Sequence, residues 1–371
     1  MRQRVDVCVR GAGVVGRSLA LALSRQGLTV ALQGLGERPA PSGDVRTYAL
    51  NAASVALLSE LKVWNALPED AATAVLEMHV EGDERGAALD FSAWTQGVEA
   101  LAWIVDAAAL ENVLADALRF APHVTMTGDQ APPAALTALC EGRDSTGRCE
   151  RGVDFKLQRY GQRAIAARLT ASQPHAGIAR QWFRAPDVLA LLPFDRPDPG
   201  HSYGLVWSLP DAEAQRLLIA NEADFEQSLN EATAGAAGVL RLASERAGWP
   251  LAIARAEPLC GPEWVLLGDA AHLVHPLAGQ GLNLGLADVV TLVRVLTHRE
   301  HWRPIGDLKL LQRYARERAL PTIAMGRLTD GLLQLFSHPA PWMRELRNRG
   351  LGLVNGAVPL KRWLAARALG G

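Results

Sequence analysis

Three glycines near the start of the chain, Gly11, Gly13 and Gly16, have the spacing of a loop that binds a dinucleotide. In such a loop the first glycine makes a tight turn, the second lets the backbone approach a pyrophosphate, and the third lets a helix pack closely on a strand. The helix that follows presents unpaired N–H groups and its positive dipole end to the phosphates. The alternative is a glycine turn with a purely structural role. The spacing favours a site for a pyrophosphate-bearing cofactor.

One acidic group that such sites usually contain is missing. The strand after the helix should end in an acid that binds a ribose hydroxyl, but this chain has Gln33 and Gly34 at that point. Glu37 follows a few residues later and is a candidate replacement. Without that replacement, we expect the adenosine part of the cofactor to be held less tightly.

A second run of chemically informative residues covers 266–288. A strand leads into Gly268-Asp269, a loop with Pro276 follows, and Gly-Gln-Gly at 279–281 begins a long helix. An acid just after a strand can accept hydrogen bonds from a polyol, and glycines let a flat ring approach the backbone. The helix N-terminus can stabilise negative charge on that ring. A strand-loop-helix crossover without a ligand explains less of this run.

Two further groups of residues have a plain structural explanation beside a functional one. His272 and His275 have a spacing that a metal site can use, but Asp269 is the nearby acid that could join them, so we expect no metal. The C-terminal region is rich in basic residues, namely Arg344, Arg347, Arg349, Lys361, Arg362 and Arg367. Such a run is either a solvated helix face or a surface that docks on an anionic membrane.

The elements that must position these residues follow from the apolar pattern. Val5–Val9 predicts a strand directly before the glycines, a helix runs to Arg25, and Leu28–Leu32 predicts the next strand. This order is typical of a parallel sheet. Asp106 is expected to cap a helix over Ala107–Arg119.

Short strand-like runs between residues 163 and 209 predict a separate, antiparallel sheet. Trp182, Leu191 and Trp207 lie in these runs, and we expect them to line an apolar substrate pocket. The alternative for the two tryptophans is a position in the core. A helix is predicted over Phe225–Ala247.

The composition excludes several classes of protein. The 371 residues are 49 % hydrophobic and 21 % charged, which is ordinary for a globular protein. With 38 basic and 39 acidic residues, the net charge of −1 argues against a nucleic-acid partner. Four cysteines without a CxxC pair exclude a disulfide scaffold. No apolar run is long enough for a transmembrane helix and no signal peptide is recognised, so a cytoplasmic location is expected.

Taken together, these motifs resemble the class A flavin monooxygenases, and within them the hydroxylases of ubiquinone biosynthesis. The matching stretches are GAGVVG at 11–16, DVRTYALNAASVALLSELKVW at 44–64 and GDAAHLVHPLAGQGLNLGLAD at 268–288, with support from 181–194, 204–210 and 249–251. The resemblance covers nearly the whole chain in the same order. It implies an α/β fold with a Rossmann-like FAD-binding domain of the para-hydroxybenzoate hydroxylase type, an antiparallel-sheet substrate domain and C-terminal helices.

The expected domains follow from this resemblance. A discontinuous FAD-binding domain takes 1–72, 101–150 and 258–300, a substrate domain takes 73–100 and 151–257, and a helical region takes 301–371. The implied cofactor-binding residues are Gly11, Gly13, Val15, Gly16, Arg46, Glu141, Arg148, Gly268, Asp269, Pro276, Gly279, Gln280, Gly281, Leu282 and Asn283. Of these, the residues from Pro276 to Asn283 would border the isoalloxazine ring, and Asp269 would bind the ribityl chain.

A third family motif, Asp-Gly-x-x-Ser-x-x-Arg, is linked to the pyrophosphates and to NAD(P)H use. Here it is Glu141 to Arg148, with Glu in place of Asp. Many relatives carry an Arg at the start of the preceding helix, where this chain has Ala107-Ala-Ala109, and a strand-rich insert, for which residues 127–140 leave little room. These departures predict weaker adenosine binding and altered NAD(P)H use.

The implied activity is hydroxylation of a phenolic, polyprenylated ring, with FAD as cofactor, NAD(P)H as transient co-substrate and O2 as oxygen source. No side chain is identified as a catalytic acid or base, since the cofactor performs the difficult chemistry. The expected partners are the apolar substrate, the inner face of a membrane through the basic C-terminal region, and a biosynthetic complex. Two alternatives stay open: a flavin-binding accessory or scaffold protein with reduced turnover, and a flavin-dependent lipid reductase or oxidase.

Overall fold

The computed structural model describes residues 4–34, 44–82, 88–128, 130, 132–184, 186–274 and 280–337, and for residues 280 and 325–337 it describes the backbone alone. In this part of the chain the strands are β1 (Val5–Arg10), β2 (Val30–Gln33), β3 (Thr47–Leu50), β4 (Ala72–Val75), β5 (Glu77–Glu81), β6 (Ala88–Ser92), β7 (Ala102–Asp106), β8 (Val124–Thr127), β9 (Ala134–Leu139), β10 (Asp154–Ala171), β11 (Ile178–Arg184), β12 (Asp187–Phe194), β13 (Ser202–Pro210), β14 (Leu240–Leu242), β15 (Ala247–Glu257), β16 (Cys260–Gly261), β17 (Trp264–Leu266) and β18 (His272–Leu273). The α-helices are α1 (Val14–Arg25), α2 (Ala52–Glu60), α3 (Ala93–Gln96), α4 (Ala107–Arg119), α5 (Thr146–Glu150), α6 (Asp211–Ile219), α7 (Glu222–Thr233), α8 (Gln280–Thr297) and α9 (Leu308–Ser337).

Strand β1 lies near the centre of a six-stranded sheet in the order β16-β17-β9-β1-β2-β8. It pairs in parallel with β2 and β9, which confirms the predicted parallel arrangement. Val7 and Val9, both fully buried, point from β1 into a core shared with α1, α4 and α8. Because α1 follows β1 directly, its N-terminus lies at the carboxyl edge of the parallel strands, where open α/β sheets bind their ligands.

A second, larger sheet has the order β18-β15-β10-β13-β12-β11-β5-β6, with β14 paired to β10. Its pairs are antiparallel except β11 with β5, so the predicted antiparallel sheet is confirmed. One face of it, which we call the back face, carries Leu189 and Leu205 and packs against Leu217 of α6 and Phe225 of α7. The domain boundaries stay a prediction, and β18, from the range expected in the FAD-binding domain, pairs with β15 of this sheet.

The opposite face of the larger sheet, the front face, lies against the smaller strands of the cofactor-binding half. Side chains alternate along a strand, so the register places Ala166, Val206 and Ala190 side by side on this face, with Gly204 and Leu192 in the next row.

Strands β3, β7 and β4 form a three-stranded sheet that makes the contact. A Cβ on Gly204 would lie 2.7 Å from Thr47 Oγ1 of β3, so the two sheets meet closely there. Arg168, also on the front face, pairs with the buried Asp106 at 2.8 Å. The front face therefore closes over the edge where β3 and α4 begin.

Two helix predictions can be compared with the structure: the one that begins at Phe225 is wrong in its second half, and the one over Ala107–Arg119 is confirmed. Helix α7 ends at Thr233, whereas Phe225–Ala247 was expected to be a single helix. Ala234 and Gly235 adopt φ of 48° and 74°, a left-handed conformation that ends a helix. Helix α4 covers Ala107–Arg119 as predicted, with Asp106 as its cap. None of the described helices is long and apolar enough to span a membrane.

Candidate functional site

The glycine turn between β1 and α1 has the geometry that its sequence predicts. Gly11 adopts φ 106°, and a Cβ there would lie 2.3 Å from the carbonyl oxygen of Cys140. A Cβ on Gly16 would lie 1.9 Å from the Gly11 oxygen, so α1 packs directly on the turn. Gly13 differs, because it is exposed and no described atom lies within 4 Å of its Cβ position. The turn is therefore closely packed at Gly11 and Gly16 and open at Gly13, where a pyrophosphate would approach.

The second predicted turn, Gly268-Asp269, lies beside the first. Gly268 adopts φ 60°, and Val15 of α1 packs between it and α8: a Cβ on Gly285 would lie 2.7 Å from Val15 Cγ2. Val15 thus packs between the two turns, and its predicted contact with the cofactor stays a prediction.

The carboxylate of Asp269 accepts no hydrogen bond and forms no ion pair within the part of the chain that the structure describes. Its side chain is exposed, and no described residue hydrogen-bonds to it. Desolvation by the surrounding protein atoms raises the pKa of this carboxyl, although His272 and Arg143 act in the opposite direction. An acceptor-only group held in this way suits a polyol ligand, which brings its own hydroxyl donors.

A buried ionic network supports the Gly268-Asp269 turn from below. Asp288 of α8, fully buried, accepts hydrogen bonds from the Gly268 N–H at 2.9 Å, from His272 Nε2 at 2.7 Å and from Arg318 Nε of α9 at 2.5 Å. In the sequence, Asp288 is the last residue of the 268–288 motif and has no predicted role, and Arg318 belongs to no motif. The partner of His272 is thus a buried carboxylate.

The start of α8 is held by Asn283, one of the predicted ring-side residues. Its Oδ1 accepts from the Asn51 N–H at 3.0 Å and from Ser54 Oγ at 2.7 Å, and its Nδ2 donates to the Ala49 carbonyl at 2.8 Å. Asn283 therefore fixes the helix start to α2 and β3.

The other ring-side residues are placed less fully. Gly281 is half-buried near Val274, and Leu282 packs on the main core. Gln280 is the first residue of α8. The predicted Pro276 and Gly279, like His275, Glu37 and the basic C-terminal residues, lie outside the described residues.

Arg46 lies at the start of β3, near the N-termini of α1 and α4. Its guanidinium is bidentate with Asp44, the shortest N–O distance being 2.6 Å, and it approaches Glu111 of α4 at 3.3 Å. The hydrogen bonds that Arg46 donates to Asp44 raise the pKa of Arg46 above its usual range. Burial raises the pKa of the neighbouring Tyr48 to about 12. Arg46 is thus a permanent cation that two acids already compensate.

Glu141 and Arg148 of the third motif form hydrogen bonds and ion pairs with other residues of the protein. Glu141 pairs with Arg10 at 2.9 Å and accepts hydrogen bonds from Ser145 Oγ and the Gly147 N–H at the start of α5. Arg148, 5 % exposed, donates to the carbonyls of Ala270 and Arg143 and stacks on the ring of Phe155, 3.6 Å from its centroid. Arg148 thus supports the Gly268–Ala270 turn, whereas Glu141 connects β1 to the start of α5. Direct contact of either residue with the cofactor stays a prediction.

The three residues expected to line the substrate pocket lie in a core instead. Trp182, Leu191 and Trp207 are 2 %, 0 % and 4 % exposed and belong to the back face. Trp207 packs edge-on against Phe225 of α7 and donates through its Nε1 to Asp187. The expectation is corrected because side chains alternate along a strand, and the residues beside these three point to the front face.

The arrangement fits the flavin dinucleotide that the motifs implied. The open position at Gly13 leaves room for a pyrophosphate, and Asp269 is free to receive a polyol. The two turns lie side by side because Val15 and Gly285 allow α1 and α8 to approach closely. The two turns therefore offer adjacent places for a pyrophosphate and for a polyol.

Comparisons with known proteins point the same way. Residues 127–327 match the family described as FAD binding domain. The ubiquinone hydroxylase UbiL of Rhodospirillum rubrum is 28 % identical over 395 residues, covering 98 % of this chain and 89 % of its own length. The 3-demethoxyubiquinol 3-hydroxylase of Escherichia coli is 29 % identical and covers 99 % of each chain.

Solved structures share the fold. The p-nitrophenol 4-monooxygenase PnpA from Pseudomonas putida has a TM-score of 0.78 at 19 % identity, over 100 % of this chain and 99 % of that one. PqsL from Pseudomonas aeruginosa, a probable FAD-dependent monooxygenase, has a TM-score of 0.77 at 19 % identity, over 94 % and 100 %. These matches confirm the predicted α/β fold and the predicted cofactor, FAD. The chain belongs to the FAD-binding domain family, among the class A flavin monooxygenases that its motifs resemble.

Proposed function

We propose that this protein is an FAD-dependent monooxygenase that hydroxylates the ring of a phenolic, polyprenylated intermediate of ubiquinone biosynthesis, using NAD(P)H and O2. The names of the two curated relatives support this substrate class. The observation that carries the proposal is the front face of the large sheet, which meets the cofactor-binding half and is built from small and apolar side chains.

The front face is suited to an apolar ring. Ala166, Ala190 and Val206 are small or apolar and lie side by side on this face, next to the larger Leu192. Arg168 is the front-face cation beside them, and it is occupied by Asp106 and by the Asp44 carbonyl. A small aromatic acid would need a free cation to pair with its carboxylate. We therefore place the substrate ring on this face, with an apolar tail in preference to a carboxylate.

Bound FAD supplies the redox chemistry that activates oxygen. The chain itself binds and orients: Gly13 admits the pyrophosphate, Asp269 accepts from the ribityl hydroxyls, and Asn283 fixes the ring-side helix start. The front face excludes water from the reacting ring, which protects reactive species from side reactions.

The substrate preference is tested by oxygen uptake with a short-chain prenylated phenol and with 4-hydroxybenzoate at matched concentration, with product measured by mass spectrometry. Each buried methylene adds about 0.8 kcal/mol before ordering costs. The prenylated compound should therefore stimulate NADPH oxidation at least tenfold more and give coupled hydroxylated product. Equal or reversed stimulation would indicate a small-aromatic hydroxylase. Bound flavin without stimulation by either compound would favour the accessory-protein alternative.

A membrane contact belongs to the same proposal. A polyprenylated substrate resides in a lipid phase, and the basic residues between 344 and 367 carry the charge that anionic lipid attracts. Co-sedimentation with anionic but not neutral vesicles is the expected result, and equal recovery with both would remove this part of the proposal.

Gly13→Ala separates cofactor binding from folding. Gly13 has the extended backbone conformation that alanine adopts readily, so the free energy of unfolding should change by less than about 1 kcal/mol. The added methyl group would occupy the open space of the turn, and we expect roughly tenfold weaker FAD binding, or about 1.4 kcal/mol. Fluorescence titration with FAD measures this effect. Unchanged affinity would show that the pyrophosphate lies elsewhere.

A further inference from the structure

Two arginines from different elements converge on one residue at the edge of the cofactor site. Arg17, in the first turns of α1, donates from Nη1 to the Glu111 backbone carbonyl at 2.6 Å. Arg46 approaches the Glu111 carboxylate from the other side at 3.3 Å. Glu111 lies one turn into α4, so this group of charges fills the gap between the N-terminal turns of α1 and α4.

The two arginines differ in what compensates their charge. Arg46 is held bidentately by Asp44 and faces Glu111 as well. Arg17, half-buried, forms no ion pair with any carboxylate in the described ranges, and its one protein hydrogen bond there goes to a neutral carbonyl. A guanidinium carries five N–H donors, so most of its donor capacity is unused.

The position of Arg17 is electrostatically unfavourable without an anion. A helix carries a partial positive charge at its N-terminus, which repels a cation in the first turns. The first turn of α4 gives no alternative cation, because it consists of Ala107, Ala108 and Ala109. An anion at the glycine turn would stabilise both the α1 N-terminus and Arg17.

We propose that Arg17 is a cofactor-binding residue in this chain, and that its guanidinium pairs with the pyrophosphate of FAD from the α4 side of the turn. The proposal rests on FAD as the cofactor and adds the residue that supplies cationic charge to the diphosphate. Arg17 thereby supplies a positive charge that the alanines in the first turn of α4 cannot supply. The ligand class it recognises is a dinucleotide diphosphate.

The test is FAD binding to the full-length chain, freed of flavin by gel filtration and titrated by fluorescence at increasing KCl. Arg17→Gln should weaken FAD binding about tenfold at low salt, and the difference from the parent should narrow as salt rises, because salt screens an exposed charge pair. Arg17→Lys keeps the charge and should stay within about threefold of the parent with the parent's salt dependence. Arg25→Gln removes an exposed arginine from the last turn of the same helix and should leave FAD affinity unchanged.

Three results would overturn the proposal. An Arg17→Gln protein with parental affinity shows that the cation does not contact the cofactor. If Arg17→Gln weakens FAD binding by the same factor at all salt concentrations, or if Arg17→Lys weakens it as much as Arg17→Gln, then Arg17 acts by packing through the Glu111 carbonyl. A parent chain that binds no FAD at any salt concentration defeats the cofactor assignment itself, which is a different failure from loss of the Arg17 effect alone.

Discussion

Replacing Asp269 with alanine is expected to release FAD from the protein. The carboxylate is exposed and has no hydrogen-bond partner among the described residues, so its acceptor capacity is available to the ribityl hydroxyls. Hydrogen bonds to a charged group contribute about 1.5–3 kcal/mol, which corresponds to roughly 10- to 100-fold weaker binding. The visible absorption of protein-bound flavin after gel filtration, together with a fluorescence titration, measures the loss.

The same substitution should not weaken the fold. Because burial raises the pKa of Asp269 in the folded state, its ionised form destabilises the folded protein at neutral pH, and this cost disappears as pH falls below the ordinary Asp pKa of about 3.9. Flavin-free Asp269→Ala should therefore be at least as stable to urea as the parent. Glu263→Gln, on an exposed turn at the opposite end of β17, serves as the control and should retain flavin. An Asp269→Ala protein that keeps its flavin, or one that is strongly destabilised, would contradict the assignment.

Asp288→Asn is expected to cause the largest loss of stability. The change leaves the buried Arg318 guanidinium without its counter-charge and weakens the support of the Gly268 N–H. Removing one partner of a buried ion pair typically costs 3–5 kcal/mol. Urea denaturation should show a loss of about that size, with weaker FAD retention as a consequence of the loosened turn.

The control for Asp288→Asn is Glu317→Gln, which breaks an ion pair with Arg294 between the same two helices but at the surface. Exposed pairs contribute about 0–1 kcal/mol. Burial alone would raise the pKa of Asp288, but His272 and Arg318 hold it below its usual value. The ionised Asp288 carboxylate therefore adds to the free energy of unfolding at pH values above its unfolded pKa of about 3.9. This stabilisation is lost as the pH falls through the lower pKa of the folded state. The network would be refuted if both variants lost the same free energy of unfolding. It would also be refuted if Asp288→Asn lost stability at low pH in the same way as the parent.

The sequence by itself determined the elements that depend on local geometry. A glycine spacing followed by an apolar helix can be recognised because each glycine meets a constraint within a few residues, as Gly11 and Gly16 do. The helix over Ala107–Arg119 was predictable for the same reason, since its cap Asp106 lies directly before it. The antiparallel sheet followed from short apolar runs.

Residues whose roles depend on distant partners were decided by the tertiary structure. Glu141 and Arg148 match a motif, but in the structure Glu141 pairs with Arg10 of β1 and Arg148 donates to the Ala270 carbonyl of the neighbouring turn. Asp288 needs Arg318 from the next helix before its network exists.

The face of each strand was likewise decided by packing. Trp182, Leu191 and Trp207 satisfy the apolar pattern of either face, and a period of two does not say which face meets the cofactor half. The choice was made by α6 and α7, which cover the back face through Leu217 and Phe225, and by β3, which meets Gly204 on the front. The bulky back-face side chains are buried under α6 and α7. The front face has smaller side chains and can therefore approach the sheet that contains β3, on the side of the cofactor-binding half.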